Sequence, residues 1–285
     1  MASVASNLQP VPKERLRCFV FPCEHGAWGM LLVPLVTGAW IGLTTGRGAL
    51  PLLLFLTASL ALFCLRTPME IWLETSPLRA QTIAERQMVI YSIFAYGALA
   101  AMALAFLLGR ERAYGLLALG AVAGALYVTQ TLLKKLGRLT RMTSQLIGSL
   151  GLVSTAAGAY YVVTGRFDSK ALILWGANWL FAVNQIHFVR LRIHSARAAT
   201  LADKVGRGKG FLATEIITAG LLLLAWRFGG LPGAAALAFV PALLRGLIWF
   251  LRRPAPLEIY RLGYGELANA LVFGILFILG FQLHL

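Results

Sequence analysis

The chain has 285 residues, 59% of them hydrophobic and 13% charged, with 26 Lys and Arg against 11 Asp and Glu. A soluble domain carries about a quarter of its residues as charges, so a soluble globular fold is excluded. The net charge of +15 does not point to nucleic acid, because no base-reading motif accompanies it and the cations lie between apolar runs.

Residues 1–26 read as a cytoplasmic tail with Lys13, Arg15 and Arg17, without the pattern of a cleaved signal peptide. Nine apolar runs follow, at 27–43, 49–65, 88–108, 113–133, 144–164, 171–189, 211–226, 231–251 and 262–285. Each must be helical, because backbone groups in lipid need partners within their own segment. The fold class expected is all-α: a polytopic membrane helix bundle of about nine transmembrane helices, with 27–285 as a single membrane domain. Similar loop lengths suggest a pseudo-repeat of 27–143 and 144–261. Sorting Lys and Arg by alternate loops puts twenty on one side and six on the other. Under the positive-inside rule the N-terminus is then in and the C-terminus out, in a bacterial cytoplasmic membrane. Cys18, Cys23 and Cys64 fit no metal pattern and read as incidental.

The first cluster with chemical content is Glu24-His25-Gly26-Ala27-Trp28, at the start of the first helix. His25 suits a general acid or base near neutral pH, with Glu24 to orient it. After the second run come Arg66, Glu70, Glu74 and Arg79. A helical segment there places Glu70 and Glu74 on one face, as a substrate-binding or salt-bridged surface. The strongest pattern is Asn184, His187, Arg190, His194 and Arg197, whose spacings of three and four suggest one helical stripe. Asn184 and His187 lie inside a span, where polar residues face protein or a water-filled cavity. With Arg192 beside it, this stripe suits an anionic head group, since guanidinium forks bind phosphates and carboxylates bidentately. Glu266 and Asn269 lie near the start of the last helix, with Arg245 or Arg261 as the expected partner of Glu266.

Glu24-His25-Gly26-Ala27-Trp28 with Pro34 resembles the N-terminal signature of the YwiC-like family of bacterial membrane proteins. A more distant resemblance is to the UbiA superfamily of intramembrane prenyltransferases, carried by Leu132-Leu133-Lys134-Lys135, Gly148-Ser149-Leu150-Gly151 and Gly158-Ala159-Tyr160-Tyr161. That resemblance implies a nine-helix bundle and puts Asn184 at the start of a second aspartate-rich motif. The aspartates of that motif fall on Gln185, Phe188 and Arg192, so Mg²⁺-dependent prenyl transfer lacks its ligands and no metal site is expected.

Taken together, the residues suggest binding of a lipid-like amphiphile whose anionic head meets Asn184, His187, Arg190, His194 and Arg197. Prenyl or lipid transfer is left open, with His25 or His187 as acid or base and the cofactor unknown. The second reading is an ion-coupled transporter, in which buried Asn184, His187 and Glu266 relay protons.

Overall fold

The computed structural model describes residues 13–22, 25–43, 49–137, 139–195, 200–251 and 258–283. The described residues form helices and no strands: α1 (Lys13–Val20), α2 (His25–Leu43), α3 (Ala49–Trp72), α4 (Ile83–Gly109), α5 (Gly115–Lys135), α6 (Arg141–Val153), α7 (Thr155–Thr164), α8 (Ser169–His194), α9 (Leu201–Arg227), α10 (Gly233–Ala236), α11 (Val240–Leu251) and α12 (Ile259–Gln282). Among them, nine stretches are long and apolar enough to cross a membrane, from Gly26–Leu43 to Tyr260–Gln282. The chain is therefore a multi-pass membrane protein. The nine expected spans are all present, but several run longer than hydropathy drew them. The seventh begins at Ala202 rather than near 211, because Asp203, Lys204, Arg207 and Lys209 continue the helix as its polar first turns.

The structure divides into two compact units, one of residues 1–23 with Thr57–Met102 and one of Glu24–Leu56 with Ala103–Leu285. In the first unit, Phe19 of α1 is fully buried with Ile71 and Val89. Here α3 stops at Trp72, and Glu74 closes it in the left-handed region (φ 58°) while the Thr75 amide bonds the Glu70 carbonyl at 2.9 Å. Glu74 occupies the position where a helix C-terminus favours glycine. Helix α4 begins with a capping box: Thr82 Oγ1 accepts from the Glu85 amide at 3.1 Å, and Glu85 Oε2 accepts from the Thr82 amide at 3.1 Å.

In the second unit, α2 and α7 approach so closely that a Cβ on Gly38 would collide with the backbone of Ala156. Small residues at such a crossing let two membrane helices pack backbone to backbone. The fifth span is two helices, broken where Ser154 Oγ bonds the Gly151 carbonyl at 2.7 Å and Thr155 Oγ1 bonds the Leu31 carbonyl at 3.1 Å. Asp168 caps α8, accepting from the amides of Lys170 and Ala171. Beyond that cap α8 is packed by apolar residues, with the Phe181 ring stacked on Phe273 at 3.9 Å and Phe239 edge-on to both. The eighth span is α10, a 3-10 turn at Leu237–Phe239, and α11. Pro241 lies in the first turn of α11, where a missing amide is tolerated.

Candidate functional site

Two of the eleven acidic residues lie deep in spans: Glu215 and Glu266. Glu215 is thirteen residues from one end of the span Ala202–Arg227 and twelve from the other. At about 1.5 Å per residue that is roughly 18–20 Å from either end of the helix, whose first turns to Lys209 are polar.

Helix α9 explains how a glutamate is held there. Phe211, Glu215, Thr218 and Leu222 form its buried stripe, with Glu215 at 5% exposure, while the neighbouring Ile216 is 74% exposed. Exposed Ile216, Ile217, Leu221, Leu223 and Leu224 make the face that meets lipid. Glu215 thus points into protein, where Asn184 of α8, 1% exposed, donates from Nδ2 to Glu215 Oε1 at 2.6 Å. Gly246 of α11 makes the approach feasible, since a Cβ there would lie 3.0 Å from Glu215 Oε1 and closer still to the Phe211 ring.

The second carboxylate lies toward the end of the bundle that carries the α8–α9 and α11–α12 connections. Glu266 of α12 pairs with Arg245 of α11 through Nη1 and Oε1, and Gln185 Nε2 of α8 donates to the Glu266 backbone carbonyl at 2.9 Å. The Arg245 guanidinium lies over the Phe188 ring, 4.0 Å from its centroid, a contact that strengthens when desolvated.

Five polar atoms of this cluster are buried without a hydrogen-bond partner among the described residues: Asn184 Oδ1, Arg245 Nε, Arg245 Nη2, Glu266 Oε2 and Asn269 Nδ2. Buried polar groups are satisfied nine times in ten, and the cost of leaving one open is about 1–3 kcal/mol. Beside Gln185, a cavity of about 10 Å³ is lined by Gly29, Met30, Pro34, Asn178 and Phe181 among others, room for one water. Asn178 of its lining donates to Thr37 Oγ1 at 3.2 Å.

The stripe expected on α8 is not assembled. A helix advances about 100° per residue, so each step of three falls back by about 60°. Asn184 and Arg190 are therefore on different faces: Asn184 is buried and Arg190 exposed. His187 is half-buried and its Nδ1 meets the Val183 carbonyl of its own helix at 2.9 Å, while exposed His194 does the same with the Arg190 carbonyl at 2.9 Å. Arg192 is half-buried and shares the face of Gln185 and Phe188, which is the face toward Arg245. Arg197 and Glu24 lie outside the described residues, as does the side chain of His25.

In the other unit, Glu70 pairs with Arg66 at 2.8 Å, whereas Glu74 and Arg79 are exposed. The expectation that Glu70 and Glu74 share a helical face is corrected by the end of α3 at Trp72. For Glu266, the expected alternatives resolve to Arg245, since Arg261 pairs with Glu258 at 2.7 Å on the surface. Glu215 was missed by sequence reasoning. It stands inside an apolar run that reads as lipid-facing helix, and the signal available was a carboxylate at the centre of a predicted span.

Residues 21–160 match the family model described as YwiC-like protein, so the chain is YwiC-like over that stretch. No curated protein and no solved structure matches it. The matched stretch stops short of Asn184, Glu215, Arg245 and Glu266, and the cluster stands on its geometry alone.

Proposed function

We propose that this YwiC-like membrane protein is an ion-coupled carrier in which Glu215 takes up and releases a proton inside the helix bundle. The observation that supports this reading is a carboxylate at mid-span, buried against Asn184 and grouped with the Arg245–Glu266 pair. An ionisable residue in the membrane is costly, and carboxylates, arginines and amides gathered in a bundle interior mark proton or solute pathways. A glutamine at position 215 would keep the bond to Asn184 without a charge. The carboxylate adds a proton that can leave. Arg245 and Glu266 supply an ion pair in the same cluster, so that a change in the charge of Glu215 acts on charged neighbours.

The placement of the cluster agrees with access from the end bearing the α8–α9 connection. Arg245 is six residues from the end of its span and Glu266 six from the start of its own, about 9 Å of helix each. Toward the other end, Phe181, Phe239, Phe273 and Phe277 close the interior. An amphiphile with an anionic head finds less support, because exposed Arg190 and His194 face away from Asn184. Placement in a bacterial cytoplasmic membrane with the open end toward the cytoplasm rests on the distribution of cations.

The experiment is a pH jump applied to proteoliposomes adsorbed on a solid-supported membrane. The wild type gives a transient displacement of charge, and Glu215→Gln, reconstituted at equal density, gives none. Equal currents from the two proteins would remove the carrier reading.

A further inference from the structure

The unfilled hydrogen-bonding capacity of the cluster has a definite chemical shape. Arg245 meets Glu266 through Nη1, which leaves the Nε and Nη2 edge of the guanidinium buried and unpartnered. That edge presents two parallel N–H donors, the geometry that matches the two oxygens of a carboxylate. Asn269 Nδ2, one turn along α12 from Glu266, is a third buried donor without an acceptor. Two buried acceptors of the cluster, Asn184 Oδ1 and Glu266 Oε2, are likewise without a donor among the described residues. Glu266 and Asn184 are 7% and 1% exposed, so bulk water does not serve these atoms.

We infer that Arg245 and Asn269 form the binding site for a small carboxylate that carries a hydroxyl or ammonium group on the adjacent carbon. The carboxylate takes the Nε and Nη2 edge of Arg245 and the amide of Asn269. The adjacent group donates to Glu266 Oε2 or Asn184 Oδ1. A doubly charged anion is disfavoured by Glu266 and Glu215 alongside, and a spherical halide uses neither the fork nor the two acceptors. This deepens the carrier reading by naming its solute class, with Glu215 carrying the proton that moves with the solute. Entry requires α11 to move from α8. Helix α11 begins at the 3-10 turn Leu237–Phe239, the kind of local break at which membrane helices hinge.

The test is thermal unfolding of the purified protein in detergent with sodium L-lactate, L-alanine, sodium propionate or sodium chloride at matched ionic strength. Lactate or alanine is expected to raise the midpoint by several degrees in a saturable way, with propionate weaker and chloride without effect. Arg245→Lys keeps the charge and the pairing with Glu266 but loses the fork, so it loses the shift. Asn269→Leu, which leaves the ion pair intact, reduces it at least tenfold in apparent affinity, and it decides the matter if Arg245→Lys does not fold. No shift in the wild type, or equal shifts in the wild type and Asn269→Leu, overturns the site. Failure here with a pH-jump current that still depends on Glu215 removes the carboxylate site and leaves the proton site standing.

Discussion

Among the described residues Glu215 is held by one side-chain hydrogen bond, from Asn184. A buried polar pair of this kind does little for stability as a pair, yet each member alone is costly. Replacing Asn184 by Leu leaves the Glu215 carboxylate without its donor, and the expected loss is about 1–3 kcal/mol. Adding Glu215→Leu removes the stranded group, and the double variant is expected to recover most of that loss while losing proton uptake. Chemical or thermal denaturation of the two variants checks this. A double variant less stable than Asn184→Leu alone would mean that the pair is retained for packing. The residue scale is also where the sequence was least legible. Glu266 and Asn269 were readable because cations flank them, and Arg245 because it sits near a span end. Glu215 has apolar neighbours on both sides in the chain, and its partner Asn184 is 31 positions away.

At the scale of the element, α8 shows why spacing alone misled. Residues three apart are neighbours on a helix, but a chain of such steps winds steadily backward around it. The stripe that the fold uses on α8 contains Asn178, Phe181, Asn184, Gln185 and Phe188, all buried. It was partly visible as a row of amides, yet the arginines drew attention to the opposite face. The break between α6 and α7 was not legible either. Ser154 and Thr155 turn their hydroxyls onto backbone carbonyls, a local competition that bends membrane helices and that hydropathy does not register. The end of α3 was hidden for a similar reason, since Glu74 rather than a glycine takes the left-handed position.

For the whole molecule, the membrane architecture was the most legible feature, because apolar length is a property of the chain and needs no tertiary contact. All nine expected runs coincide with spans of the structure, apart from the first two residues of the fourth and of the eighth and the last three of the ninth. The proposed orientation rests on twenty Lys and Arg against six, from which the positive-inside rule expects the open end of the cluster on the cytoplasmic side. A reporter that is active only in the cytoplasm, fused ahead of residue 1, should be active, and silence would reverse the topology. The central claim concerns one proton at Glu215. Infrared difference spectra of the protein in lipid, recorded between acidic and alkaline buffer, read it directly. The account predicts a carboxylic acid C=O band that appears on acidification in the wild type and is missing from Glu215→Gln. A band of the same position and intensity in Glu215→Gln would contradict it.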